Sequence, residues 1–312
     1  MRFQVSIDTS QIHPVIKLSD TKANCSAEIY AFGALLNRFE IQMSDGRFNC
    51  VDGFSSVDDA IAQIENGYKS AFLSPFVCRM NNGKHHFDGV DYKVEKSYLQ
   101  EHAIHGIIFD AVFKVVSTHA DEHFASVELH HHYGGTDAGY PFEYDVRQFW
   151  KLQENNKLTC HTMVEHVNEK AIPYSNGWHP YFTLGTSVDE CTLEFDSDTL
   201  IEFDATLLPT GNKIKDERFI NGTKLQDIGL DNCFELNKAP GVCVLKNNQL
   251  QLKIESDASY PFIQIYTPPH RKTIAIENLS AAPDAFNNKM GLLLLQPHKQ
   301  YHFTTNYSLH KM

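Results

Sequence analysis

Alternation with a period of two constrains this chain more than any other feature. In "LQLKIES", Leu250, Leu252 and Ile254 fall on one face of an extended segment, and Gln251, Lys253 and Glu255 on the other. "FIQIYT", "TIAIEN", "TLEFDS" and "YHFTTNYSL" repeat the pattern with β-branched and aromatic residues, which suit a pleated, half-buried surface. "MNNGKH", "YGGTDAG", "PTGN", "INGT" and "TPPH" read as turns between strands. Only "SSVDDAIAQIENG" reads as a helix. Ser55 or Ser56 caps it, Asp58 and Asp59 occupy its first turn, and Gly67 stops it. Val57, Ala60, Ile61 and Ile64 then form one apolar stripe. Many strands, few helices and no βαβ rhythm predict an all-β, mainly antiparallel sandwich, formed as a single domain over residues 1–312. A hydrophobic fraction of 42%, with 12% aromatic residues, is enough to fill so large a core.

The charge balance narrows the partners. With 27 Lys+Arg against 39 Asp+Glu, the net charge is −12, which repels phosphate backbones and anionic lipid. Nucleic acid and membrane are therefore not expected as partners. "PTGNK" and "HYGGTDAG" contain glycines but fit neither phosphate-loop pattern. The seven cysteines (Cys25, Cys50, Cys78, Cys160, Cys191, Cys233, Cys243) are odd in number and never form CxxC. That spacing excludes the usual zinc motifs and argues against a disulfide framework, so reduced thiols and a cytoplasmic protein are expected. The start of the chain, "MRFQVSIDTSQIHPVIKLSD", has no apolar signal region.

Four segments carry chemistry. In "SNGWHPYFTLG", flanking aromatics can narrow solvent access to His179 and hold its ring, although a structural His bonded to a carbonyl is the commoner role. In "KTIAIENLSAAPDAFN", an extended Thr273 to Asn278 puts Ile274 and Ile276 on one face. Thr273, Ala275 and Glu277 take the other, so Glu277 is either a cavity carboxylate or a solvated strand end. His105 precedes Gly106 at the mouth of an apolar run, where it is a turn histidine or a ring aimed at a close backbone. Arg79 before "MNNG" can fork onto sugar oxygens or a carboxylate, or sit in a surface ion pair. Asp231 in "LDNCFEL" reads as a turn residue unless the other pieces converge on it. His130, His131 and His132 alternate across a strand and lack a carboxylate or thiolate partner, so no metal site is expected there, nor at His85 and His86. No serine stands in a GxSxG elbow.

The order of these fragments resembles the aldose 1-epimerase (galactose mutarotase-like) family. Arg79 falls before "NNG" and a "DGVDYKV" strand; His-Gly, "HPYF", "YPFIQIYTPPHRKTIAIENLSAAPDAFN" and "LLLLQPHKQYHF" follow. The resemblance runs from about Ser56 almost to the C-terminus. It implies a large β-supersandwich with one or two short helices and a sugar cleft across one sheet. It also implies an isomerase that interconverts the anomers of a free hexose such as glucose or galactose, without cofactor or metal. Glu277 resembles the general base that removes the anomeric hydroxyl proton, and His179 the general acid that protonates the ring oxygen. His105 resembles the imidazole beside the ring oxygen; Arg79, Asp231 and Gln264 resemble the groups that bind sugar hydroxyls. Base and acid then stand on opposite sides of the O1–C1–O5 unit, with Trp178, Tyr181 and Phe182 as candidates for a stacking wall, or for core in the case of Phe182. Three departures touch the sugar-binding rim: Cys78-Arg79 in place of Asn-Arg, His105-Gly106-Ile107 in place of His-Gly-Gly, and Pro297-His298 in place of Pro-Gly. A hexose-6-phosphate mutarotase and a non-catalytic sugar-binding protein are the alternatives. The first requires a cationic pocket that no Arg/Lys cluster beside these motifs supplies, and the second has no need of the acid–base pair.

Overall fold

The alternating segments form strands throughout the computed structural model, which describes all 312 residues. "LQLKIES" becomes Leu250–Ser256, and its burial alternates residue by residue. Leu250, Leu252 and Ile254 are each at most 1% exposed. Burying such a side chain is worth about 1.5–3 kcal/mol, so shifting this strand by one residue would expose all three and is strongly disfavoured. The other four segments give Phe262–Tyr266, Ile274–Leu279, Thr192–Phe195 and Tyr301–Lys311.

These strands belong to two large sheets. The nine-stranded sheet starts from Lys114–Ala120, Phe124–Tyr133, Tyr144–Gln153 and Lys157–Glu165. It continues through Tyr301–Lys311, Leu250–Ser256, Gly241–Lys246, Thr192–Phe195 and Thr223–Lys224. The second sheet runs Pro209–Lys215, Thr199–Phe203, Asp231–Glu235, Phe262–Tyr266, Ile274–Leu279, Gly177–His179 and Ala71–Leu73, with Tyr181–Phe182 also paired to Ile274–Leu279. Each ladder in the two sheets is antiparallel, as expected. The sheets pack face to face through large aromatics. Trp150 meets Trp178 with ring centroids 5.3 Å apart, and Phe182 meets Tyr307 at 5.7 Å. A five-stranded N-terminal sheet from Phe3–Asp8 to Gly46–Asn49 adds Ile16, Leu18, Ile29 and Phe39 to the same core.

Two short α-helices are present, Val57–Gln63 and Ala285–Asn288. Ser56 caps the first by accepting from the Asp59 N–H, as expected, but Ile61 is not part of its buried stripe. Val57, Ala60 and Ile64 are buried, whereas Ile61 is 39% exposed. A seven-residue helix resting on one surface buries only the narrow arc facing it, and Ile61 lies beyond that arc. The reading of "PTGN" as a turn is also corrected. It opens Pro209–Lys215, an edge strand, where a proline at the first position and an interior glycine cost no ladder hydrogen bond on the open side.

His130 and His132 were expected to lack a carboxylate, but the neighbouring strand provides one. Asp145 Oδ1 lies 2.7 Å from His130 Nε2 and 3.3 Å from His132 Nδ1. His131, on the opposite face, meets the Val112 carbonyl at 3.2 Å. All seven cysteines are buried and free. No helix is long and apolar enough to cross a membrane.

Candidate active site

Four neighbouring strands of the second sheet converge on one cleft of about 300 Å³. Asp231–Glu235, Phe262–Tyr266, Ile274–Leu279 and Gly177–His179 lie side by side and carry Asp231, Gln264, Glu277 and His179. Register sets the common face. Gln264 stands directly opposite Glu277 on one side and Cys233 on the other, while Tyr266 stands opposite Asp231. Ile263, Ile265, Ile274 and Ile276 therefore point the other way, into the core. Of the two readings left open for Glu277, the cavity carboxylate is the correct one: it lines the cleft at 1% exposure. Asp231 is not a turn residue but the first residue of a strand.

His105 and Arg79 reach the cleft from outside this sheet. The His105 N–H donates to the Cys78 carbonyl at 2.9 Å, which ties the two loop ends together. His105 has φ +62° and Gly106 φ +78°. A Cβ on Gly106 would stand 2.2 Å from the Ser74 carbonyl oxygen, so only glycine permits the approach that aims His105 inward. Tyr68, Cys78 and Leu207, also lining the cleft, are likewise non-glycine residues at positive φ. Strained backbone of this kind gathers where a site dictates geometry.

His179 Nε2 lies 3.4 Å from Glu277 Oε1. The His179 ring packs edge-on to His105, with centroids 4.8 Å apart, and Tyr68 covers the far side of His105 at 4.7 Å. Gln264 Nε2 donates to Asp231 Oδ1 at 2.8 Å. Four buried polar atoms in this small volume have no partner: Glu277 Oε2, Gln264 Oε1, and Nδ1 of both His105 and His179. A fold rarely tolerates one such atom without cause.

Burial sets the charge states. It pushes the Glu277 carboxyl well above the ordinary range, Asp231 adds to the effect, and Arg79 opposes it. The Asp231 carboxyl is also raised by burial, against Arg79 and its bond from Gln264. Burial holds His179 down to about 4. His105 lies well below its usual value, from burial first and then from His179 and Arg79. The carboxyl is thus shifted up and the imidazole down, so an oxygen and a nitrogen 3.4 Å apart compete for a proton. Such a pair can give a proton to one atom while taking one from its neighbour.

The aromatic wall expected around His179 divides. Tyr181 lines the cleft, with its ring centroid 5.0 Å from that of His179. Trp178 and Phe182 belong to the core between the sheets. Alternation explains this, because Trp178 and His179 are neighbours on a strand and point to opposite faces. Glu277 and His179, expected to flank the O1–C1–O5 unit, stand on neighbouring strands. Sequence reasoning also missed Tyr68 and Tyr266 as cleft residues. Tyr266 was accessible through its period-two relation to Gln264; Tyr68 carried no signal.

The sequence profile of the aldose 1-epimerase family matches residues 14–308. An uncharacterized protein of Escherichia coli, YihR, is 26% identical over 239 residues, covering 73% of this chain and 76% of its own. Among solved structures, a galactose mutarotase-like protein from Clostridium acetobutylicum superposes with a TM-score of 0.86 at 18% identity, over 99% of this chain and 98% of its own. A galactose 1-epimerase from Lactobacillus acidophilus gives 0.83 at 18% identity, over 99% of each chain. The sheets, the cleft across one of them and a profile match over nearly the whole length agree: the chain has the galactose mutarotase-like fold and belongs to the aldose 1-epimerase family.

Proposed function

We propose that the protein is a working mutarotase, one catalytic domain over residues 1–312, that interconverts the α and β anomers of a free hexose such as glucose or galactose. The observation that carries this reading is the Glu277–His179 pair, 3.4 Å apart, buried, and with unpartnered atoms in a cleft of sugar dimensions. The two oxygens that exchange protons during ring opening, O1 and O5, are both bonded to C1. Their proton acceptor and donor each have to reach one of these two oxygens, which suits a pair carried on neighbouring strands. Glu277 takes the proton from the O1 hydroxyl as the C1–O5 bond breaks, and His179 delivers one to O5. Rotation about C1–C2 turns the aldehyde, and reclosure runs the same transfers in reverse on the other face. Each group is expected to contribute roughly 10²–10⁴-fold.

The remaining residues bind and orient the sugar. Arg79, Asp231 and the free Gln264 carbonyl oxygen offer a fork of donors and two acceptors for the hydroxyls, and His105 steadies the O5 side. Tyr181 and Tyr266 offer flat faces to the ring. The Lactobacillus acidophilus galactose 1-epimerase supports the same reaction class. Free cysteines suit the cytoplasm. The phosphorylated alternative is disfavoured because Arg79 is the only Lys or Arg lining the cleft, against Glu65, Asp231 and Glu277.

Mutarotation of freshly dissolved α-glucose and α-galactose, followed by polarimetry, tests the proposal. The wild type accelerates the decay, while Glu277→Gln and His179→Asn return it towards the buffer rate, and glucose 6-phosphate competes poorly. A wild-type decay at the buffer rate for every common aldose, with saturable sugar binding, would instead mark a binding protein.

A further inference from the structure

Cys78 has no task in the acid–base reaction, yet its Sγ, a His105 ring nitrogen and a Glu277 carboxylate oxygen all lie within 4.8 Å of one another. All three residues are buried. Positions 78, 105 and 277 have no spacing by which a metal site is read from sequence. The fold assembles what the spacing hides.

Thiolate, imidazole and carboxylate together form a borderline-soft donor set. Hard cations such as Mg²⁺ and Ca²⁺ prefer all-oxygen shells, whereas Zn²⁺ and Co²⁺ accept S, N and O together. Three protein ligands with one open position is an arrangement that zinc adopts readily. Zinc–sulfur and zinc–nitrogen bonds of about 2.3 and 2.0 Å put tetrahedral ligands roughly 3.5 Å apart, so the three atoms need close by no more than about 1.3 Å. Two of the residues also present unpartnered buried atoms, His105 Nδ1 and Glu277 Oε2. The backbone bond from His105 N–H to the Cys78 carbonyl holds the first two ligands in fixed relation.

We propose that Cys78, His105 and Glu277 form a binding site for a divalent zinc-like cation, and that this ion and the sugar exclude one another. As the metal binds, the Cys78 thiol proton passes to solvent, and Glu277 ligates as the carboxylate, its proton released likewise. The bound ion engages the Glu277 oxygens, which then cannot accept the O1 proton. Zinc thus competes with the sugar through a site that adds one residue, Cys78, that catalysis does not use. The exclusion clause rests on the proposed function; the site itself does not.

The test uses the full chain with Co²⁺ as an optical probe. One equivalent gives a thiolate-to-cobalt charge-transfer absorption that Zn²⁺ abolishes, and Cys78→Ser removes the band and weakens zinc binding by at least about tenfold. Galactose added in excess lowers the apparent cobalt affinity. A band that survives Cys78→Ser, or no band at all, overturns the site. Should Cys78→Ser fail to fold, zinc-edge anomalous density in wild-type crystals decides: a peak bonded to the three side chains supports the site, and zinc bound only elsewhere overturns it. The two proposals separate cleanly. The band requires no turnover, and mutarotation without a band would remove the metal site alone.

Discussion

Glu277 is a carboxyl group held where ionisation is costly. Its folded value is raised, so its contribution to stability is present below its ordinary value of 4.5 and is lost as pH rises through the folded value. At neutral pH the group is therefore a burden on the fold, tolerated for the reaction. Glu277→Gln is expected to raise Tm at pH 7 by about 2–4 °C, while mutarotation falls by roughly 10²–10⁴. Thermal unfolding and polarimetry on the same preparation check both; a lowered Tm would mean that Glu277 stabilises the protein. His179 has the opposite sign. The unfolded imidazole binds a proton near 6.5 and the folded one only near 4, so stability drains away as pH falls between those values. His105 adds to this slope. Urea titrations of Glu277→Gln, which removes the opposing carboxyl, should give a lower stability at pH 5 than at pH 7, with part of the difference removed when His179→Asn is added. In the range where the fold persists, kcat/KM reports the free enzyme. It should fall on the acid side as Glu277, the base, takes up a proton, at a pH above the ordinary carboxylate value of 4.5. An acid limb at or below 4.5 would contradict a base raised by burial.

At the scale of elements, the turn at Gly106 is the most exposed to a single change. Gly106→Ala introduces a Cβ 2.2 Å from the Ser74 carbonyl oxygen at φ +78°, so the turn must move and His105 with it. A loss of about 1–3 kcal/mol and a reduced kcat/KM are expected, measured by denaturant unfolding and initial rates. The strands were legible because their signal is local: the alternation in "LQLKIES" or "TIAIEN" needs only neighbouring residues. The facing of Glu277 against Ile274 and Ile276 followed from the same rule. What the sequence could not supply was the partner across each ladder. Gln264 opposite Glu277, and Asp145 beside His130, are facts of register between distant segments. Trp178 faces the core by the same alternation, because its strand neighbour His179 faces the cleft. "PTGN" was misread because proline and glycine punctuate turns and edge strands alike. The departure Pro297-His298 has a local explanation, since His298 adopts φ +59°, the conformation a glycine would take there. Tyr68 was invisible because its role depends on where the segment after the first helix is carried.

Over the whole molecule, two sheets face each other across a core in which Trp150, at 1% exposure, donates from Nε1 to the Ala34 carbonyl at 3.0 Å. Trp150→Ala is expected to cost about 3–5 kcal/mol, read as a lower denaturant midpoint. The net charge of −12 acts at longer range. A neutral hexose should be turned over with a kcat/KM that is flat in salt, whereas any residual action on a hexose 6-phosphate should rise with ionic strength as repulsion is screened. Rates from 20 mM to 500 mM salt, on the order of a fivefold change in Debye length, separate the two. All these expectations return to one pair of side chains meeting one sugar carbon. The most direct measurement is a crystal structure of Glu277→Gln with bound galactose or glucose. The account predicts O1 within hydrogen-bond reach of the residue 277 side chain and O5 within reach of His179 Nε2. A sugar bound with C1 turned away from both would contradict it.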